Sequence, residues 1–162
     1  AKHDRAHLGL AAQFKAHTID RRYHAIVAGR PTRMEGTVDA PLARSPANRK
    51  KVAIVPNGKR AVTRYRVIRP LRDAALVECR LETGRTHQVR VHMASIGHSL
   101  LGDPVYGRAG SRHRSLLETL GFQRQALHAA RLGFRHPINS NTLVFDSERP
   151  ADMQELLRHL EV

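Results

Sequence analysis

Residues 81–107, LETGRTHQVRVHMASIGHSLLGDPVYG, constrain this chain more than any other stretch, because they string a strand end, a short basic helix and a glycine turn together without a break. Gly84 interrupts the strand and Thr86 is placed to cap a helix. Val89, Met93 and Ile96 then recur at i, i+4 and i+7 before Gly97 stops the pattern. Arg85, His87, Gln88 and Arg90 are thereby expected on one short rigid element.

The rest of the chain alternates short helical and strand patterns. Residues 4 to about 17 read as an amphipathic helix through Leu8, Leu10, Ala11 and Phe14, and 21–28 as a strand with Tyr23 near its start. A second strand is expected over 37–42. Asn57-Gly58, between Val52-Ala53-Ile54-Val55 and Ala61 to Val67, is the strongest hairpin signal; in its second arm Thr63, Tyr65 and Val67 share one face and Arg64 and Arg66 the other. Such alternating arginines suit either phosphate contact or ordinary edge protection. Ala75, Val77, Cys79 and Leu81 also alternate. A polar connection is read at 109–114, then a helix through Leu116, Leu117 and Leu120 stopped by Gly121, and a strand over 127–134 with Ala130, Leu132 and Phe134 alternating. Leu143-Val144-Phe145 follows as another strand. A last helix opens at Pro150 and carries Met153, Leu156, Leu157 and Leu160. This order predicts one domain over 1–162 of α+β class, with mixed, mainly antiparallel sheets and flanking helices.

A chain of 162 residues is long enough to bury roughly 70% of its unfolded surface. Its net charge is +14, and residues 40–72 hold no acid while containing Arg44, Arg49, Lys50, Lys51, Lys59, Arg60, Arg64, Arg66, Arg69 and Arg72. A polyanion is the natural partner of such a face, nucleic acid ahead of acidic lipid. No apolar run approaches the ~20 residues that span a bilayer, so no membrane role is expected. Cys79 is the only cysteine, which rules out an internal disulfide and suits a reducing cytoplasm; its alternating apolar neighbours make it a buried structural thiol. The histidines show no HExxH or paired-cysteine spacing, so no metal site is expected.

The segment 81–107 closely resembles the third conserved motif of pseudouridine synthases that modify uridines in large-subunit ribosomal RNA. RYHAIVAG at 22–29 resembles that family's tyrosine motif, and RQALHA at 124–129 its late segment, with GTVDAPL at 36–42 and NGKRAVT at 57–63 matching in order between them. The likeness covers nearly the whole chain. The family's nucleophile is an aspartate in an HRLD motif, and no such string occurs here. By the order of motifs the chain is expected to begin just downstream of it, as the C-terminal part of a catalytic domain that is inactive without the upstream segment.

The resemblance implies roles for single residues. Arg90 is the cation that pairs with the nucleophilic aspartate, a task suited to a guanidinium fork, although a surface arginine on a helix flank is the ordinary alternative. Tyr23 stacks on the target uracil and handles a proton, the alternative being a strand tyrosine with a buried ring. Leu127 is an apolar wall of the pocket. Arg85, His87 and Gln88 are support or RNA contacts, and Arg64 and Arg66 are further RNA contacts. Asp103, before Pro104 and ahead of Tyr106-Gly107, is a turn residue. Arg90 and Tyr23 are expected to face each other across a hollow. The implied reaction needs no cofactor, and a monomer acting on ribosomal RNA is expected. Two other readings stand beside it: a basic RNA-binding or ribosome-assembly module without chemistry, and a phosphate-handling enzyme, for which no GxxxxGKS loop is present.

Overall fold

The computed structural model describes residues 1–107 and 112–162, so the connection read at 109–114 lies partly outside the described residues. In chain order the elements are α1 (Asp4–Lys15), β1 (Asp20–Ala28), β2 (Glu35–Asp39), β3 (Leu42–Arg44), β4 (Val52–Ile54), β5 (Val62–Leu71), β6 (Ala74–Leu81), α2 (Gln88–Ser95), α3 (Arg114–Leu120), β7 (Leu127–Arg135), β8 (Thr142–Asp146) and α4 (Ala151–Leu160). Six strands form one antiparallel sheet in the order β2-β5-β6-β1-β7-β8, and β3 and β4 form a separate two-stranded ribbon. The α+β class is as the sequence implies.

Strand β6 explains how two cores share one sheet. Ala74 and Leu76 face a cluster with Ile26, Leu71, Phe122 and the four buried residues of α4: Met153, Leu156, Leu157 and Leu160. Ala75, Val77, Cys79 and Leu81 face the other way, onto Ala25, Val27, Val67 and the α2 residues Val89 and Met93. Each fully buried aliphatic side chain contributes roughly 1.5–3 kcal/mol, so the α4 stripe alone is a major fastening. The Cys79 thiol is fully buried, and that burial, with Glu78 nearby, pushes its pKa up to about 12, which leaves it unreactive.

Several local expectations change. Asn57-Gly58 does not join paired strands: β4 pairs with β3, whereas β5 pairs with β2 and β6. The turn instead returns the chain to Leu42, which exchanges backbone hydrogen bonds with Lys59, and a Cβ on Gly58 would lie 2.7 Å from the Leu42 carbonyl carbon. The strand expected over 37–42 is split between β2 and β3. The helix expected from Thr86 starts after His87, whose φ of 55° and lack of a side-chain cap displace the capping role read for Thr86. Helix α1 ends at Lys15, and of its apolar residues only Ala6 is buried: Leu8 is 69% and Phe14 47% exposed. A polar clip holds it, with Gln13 donating to the Arg135 carbonyl at 2.8 Å and accepting from the Arg135 N–H at 2.9 Å. In β7 the register against β1 slips at Ala130, so Ala130 is buried while Leu132 is exposed.

His92 of α2 is fully buried between sheet and ribbon, with Nδ1 2.8 Å from Thr63 Oγ1 and Nε2 2.9 Å from the Ala40 carbonyl. The Ala40 carbonyl can only accept, so Nε2 carries the ring hydrogen, and in the neutral ring Nδ1 accepts from the Thr63 hydroxyl. Burial pushes the His92 pKa below 6.5, and burial lowers His24 and His87 in the same direction. A base whose pKa is lowered by folding stabilises the fold fully above its unfolded pKa and loses that contribution as pH falls through the lowered value. Thermal melts should therefore show falling stability as pH drops below 6.5. His92→Leu should make that fall shallower and lower stability at neutral pH by about 1–3 kcal/mol, through the unpaired Thr63 and Ala40 groups.

Candidate active site

The turn from β6 into α2 is built around one side chain. Gln88 is 2% exposed; its amide nitrogen donates to the Val62 carbonyl and Thr63 Oγ1, both at 3.0 Å. Its amide oxygen accepts from Thr83 Oγ1 at 2.8 Å and the Arg85 N–H at 3.0 Å. The amide's hydrogen-bonding capacity is filled inside the protein, so Gln88 supports the turn and has no free group to offer RNA. Arg85, by contrast, is exposed, with Nε donating to the Arg60 carbonyl at 3.0 Å.

One helical turn into this segment, Arg90 meets Asp103 in a two-pronged ion pair, Nε to Oδ2 and Nη2 to Oδ1, each 2.8 Å. The side chains are 8% and 0% exposed. Oδ1 also accepts from the Val105 and Tyr106 N–H groups, at 2.9 and 3.1 Å, so Asp103 is the turn residue its sequence indicates and a fixed counter-charge as well. Burial alone would push this carboxyl up, but the Arg90 guanidinium and the two backbone donors hold it below the usual carboxylate range. The bond to Asp103 raises the Arg90 pKa in turn. Among the described residues, Nη1 of Arg90 has no hydrogen-bond partner.

Tyr106, which sequence reading treated only as part of a turn, closes this group. Its ring centroid lies 5.0 Å from the Arg90 guanidinium carbon, and its hydroxyl accepts from the Val52 N–H and bonds His87 Nδ1, both at 2.9 Å. Burial first, and then the Arg90 charge, push the His87 pKa down, so this ring is neutral at pH 7.

Tyr23 lies on the sheet face that α2 covers. It sits opposite Cys79, which sits opposite Tyr65, so two tyrosines flank one buried thiol in a cross-strand row. Leu127 lies in the next row, opposite Ala25, and all three pack against the cluster containing Val89. Tyr65 was not singled out in the sequence; its signal was Gly36, the partner whose missing Cβ leaves room for the ring at 2.7 Å. Arg64 and Arg66 are not brought to this group. They lie on the opposite sheet face, where Arg64 bonds Glu82 at 2.8 Å and Arg66 bonds Glu78 at 3.2 Å. The structure thus forms two groups, Tyr23, Tyr65 and Leu127 beside Val89, and Arg90 with Asp103, Tyr106 and His87.

A family model described as RNA pseudouridylate synthase matches residues 1–95. The chain belongs to the RNA pseudouridylate synthase family. It is 65% identical to ribosomal large subunit pseudouridine synthase D of Zymomonas mobilis, over 100% of this chain and 51% of that protein. It is 45% identical to the protein of the same name from Nitrosomonas europaea, over 98% of this chain and 46% of the relative. The chain spans about half the length of these curated relatives. Among solved structures, human RNA pseudouridylate synthase domain containing 1 shares the fold at a TM-score of 0.77 and 24% identity, over 93% of this chain and 62% of that one. Domain containing 4 gives a TM-score of 0.71 at 26% identity, over 94% of this chain and 67% of that one. The pseudouridylate synthase match ends at the last residue of α2, so it includes Tyr23 and Arg90 and stops short of Asp103, Tyr106 and Leu127.

Removing one partner of a buried ion pair strands the other charge, at a cost of about 3–5 kcal/mol. Asp103→Ala should lose that much in urea unfolding. Asp103→Asn should lose less, because its amide oxygen still accepts from Val105 and Tyr106. An Asp103→Ala protein within about 1 kcal/mol of wild type would mean that the pair does not hold the turn.

Proposed function

We propose that this chain is the later part of a catalytic domain that converts uridines of large-subunit ribosomal RNA to pseudouridine, and that its nucleophilic aspartate comes from the HRLD segment preceding it. The observation that carries this reading is the Arg90–Asp103 pair. Asp103 cannot itself be the nucleophile, because its side chain has no exposure and its oxygens are held by a guanidinium and two backbone donors. What it does is aim a buried, permanently charged guanidinium whose Nη1 remains for a second carboxylate.

The reaction breaks the bond from uracil N1 to ribose C1′, turns the base, and joins C1′ to C5. The C5 proton is lost and N1 ends protonated, so atoms and electrons balance without redox chemistry. A carboxylate held ionised by Arg90 attacks or stabilises the reacting sugar or base. Tyr23 stacks on the extruded uracil and its hydroxyl takes part in moving the C5 proton, while Leu127 and Tyr65 supply apolar walls. The neutral His87 steadies Tyr106 and so the guanidinium beneath it. The names of the relatives support ribosomal RNA as the substrate, and a cytoplasmic setting is in keeping with that substrate.

A form extended to include an HRLD segment should make pseudouridine in large-subunit ribosomal RNA, and the 162-residue chain alone should make none. In the extended form Tyr23→Phe and Arg90→Lys should each lower kcat by about 100-fold or more, with RNA affinity changed by less than about twofold. Turnover by the chain alone would place the nucleophile inside it and overturn the reading.

A further inference from the structure

Two groups of basic residues contrast. On the outer face of the six-stranded sheet, arginines carry carboxylate partners: Arg22 with Asp20 at 3.0 Å, Arg64 with Glu82 at 2.8 Å, Arg66 with Glu78 at 3.2 Å and Arg131 with Asp146 at 2.6 Å. On and beside the β3–β4 ribbon the opposite holds, apart from Arg60, which lies 3.1 Å from Glu82. Arg44, Arg49, Lys50, Lys51, Lys59 and Arg85 are all exposed, and none has a carboxylate within 4.0 Å among the described residues. A cation already paired must give up its acid to meet a phosphate and brings that negative charge to the contact; an unpaired one does neither.

The ribbon is also shaped for the purpose. Its tip is closed by hydrogen bonds that use no acid: Ser45 N–H to the Lys51 carbonyl at 2.9 Å, Lys51 N–H to the Asn48 carbonyl at 2.9 Å, and Lys50 N–H to Asn48 Oδ1 at 3.1 Å. Its root is buried, with Leu42 and Val52 packed against Ala61 and Val91, and Val52 tied to Tyr106. Between the ribbon and the turn at Gly84 lies an open cleft of about 430 Å³, whose walls include Arg44, Lys59 and Arg85.

We infer that the β3–β4 ribbon and the Arg85 turn form a clamp for the phosphodiester backbone of RNA, and that this cleft, not the arginine face of the sheet, is where the strand carrying the target nucleotide is held. The inference rests on the proposed function for its choice of RNA. The clamp reads charge and not sequence, because its donors are flexible cations around a groove lined by Leu42, Ala43 and Val52. Through Tyr106, which bonds Val52 and stacks on Arg90, the clamp shares a root with the candidate active site.

The test is fluorescence anisotropy with a labelled stem-loop of large-subunit ribosomal RNA, over roughly 50–200 mM salt. Arg49→Ala, Lys50→Ala, Lys51→Ala and Lys59→Ala combined should reduce the slope of log affinity against log salt by about 2–3 and weaken binding at the lowest salt by about tenfold or more. A control carrying Arg69→Gln, Arg124→Gln and Arg131→Gln, all paired with acids, should keep the wild-type slope. An unchanged slope in the ribbon variant, or an equal loss in both, would overturn the clamp. Pseudouridine formation by the extended form is measured separately, and there the ribbon variant should raise KM for RNA. If no form makes pseudouridine while the ribbon slope still falls, the clamp stands and the proposed reaction does not.

Discussion

The amide of Gln88 relates sheet, helix and site to one another. It is the first residue of α2, yet its bonds reach Val62 and Thr63 on β5 and Thr83 and Arg85 on the way out of β6. A short helix whose first residue is pinned to β5 and to the turn leaving β6 cannot rotate, so the direction in which Arg90 leaves α2 is decided at Gln88. The left-handed conformation of His87 follows from the same constraint, since the chain must turn sharply to bring Gln88 under β5 before the helix begins.

Arg90 and Asp103 then show why a buried charge is tolerated here. Desolvating a guanidinium is expensive, and the pair is sustainable only because both prongs are made and the remaining carboxylate capacity is taken by backbone N–H groups. A site assembled this way keeps its cation in place before any substrate arrives, which is the electrostatic preorganisation that charge-developing reactions exploit. The outer sheet face uses the same residue type differently. Arg64, Arg80, Arg22 and Arg131 lie in one cross-strand row, and Glu82, Asp20 and Asp146 relieve the repulsion among them.

How much of this could be read in advance depended on how far each signal reaches. Helix α4 was legible because its stripe and its entry at Pro150 are local, and Gly97 and Gly121 stopped their helices with φ of 87° and 64° for the same reason. Asn57-Gly58 is also a local signal, but it states that the chain turns and not which strand it returns to, so the hairpin partner was misread. Arg64 and Arg66 were correctly placed on one face, while their acids belong to a neighbouring strand whose register a single sequence does not give. Asp103 was recognised as a turn residue from its neighbours. Its bond to Arg90, across 13 positions, depends on how α2 lies on the sheet, which no local pattern encodes. Tyr65 and Tyr106 were passed over for that reason too.

Tyr106 shows what the site demands of one side chain. A ring is needed to cover the guanidinium, and a hydroxyl is needed to accept from Val52 at the root of the ribbon while meeting His87. Phenylalanine would supply only the ring, and serine only a polar contact at a different reach. The neutral state of His87 completes the arrangement, because an imidazolium beside Arg90 would set two like charges around one ring. The buried guanidinium of Arg90 and the cations arrayed on the ribbon are therefore joined by a single aromatic residue, through contacts of 2.9 and 5.0 Å.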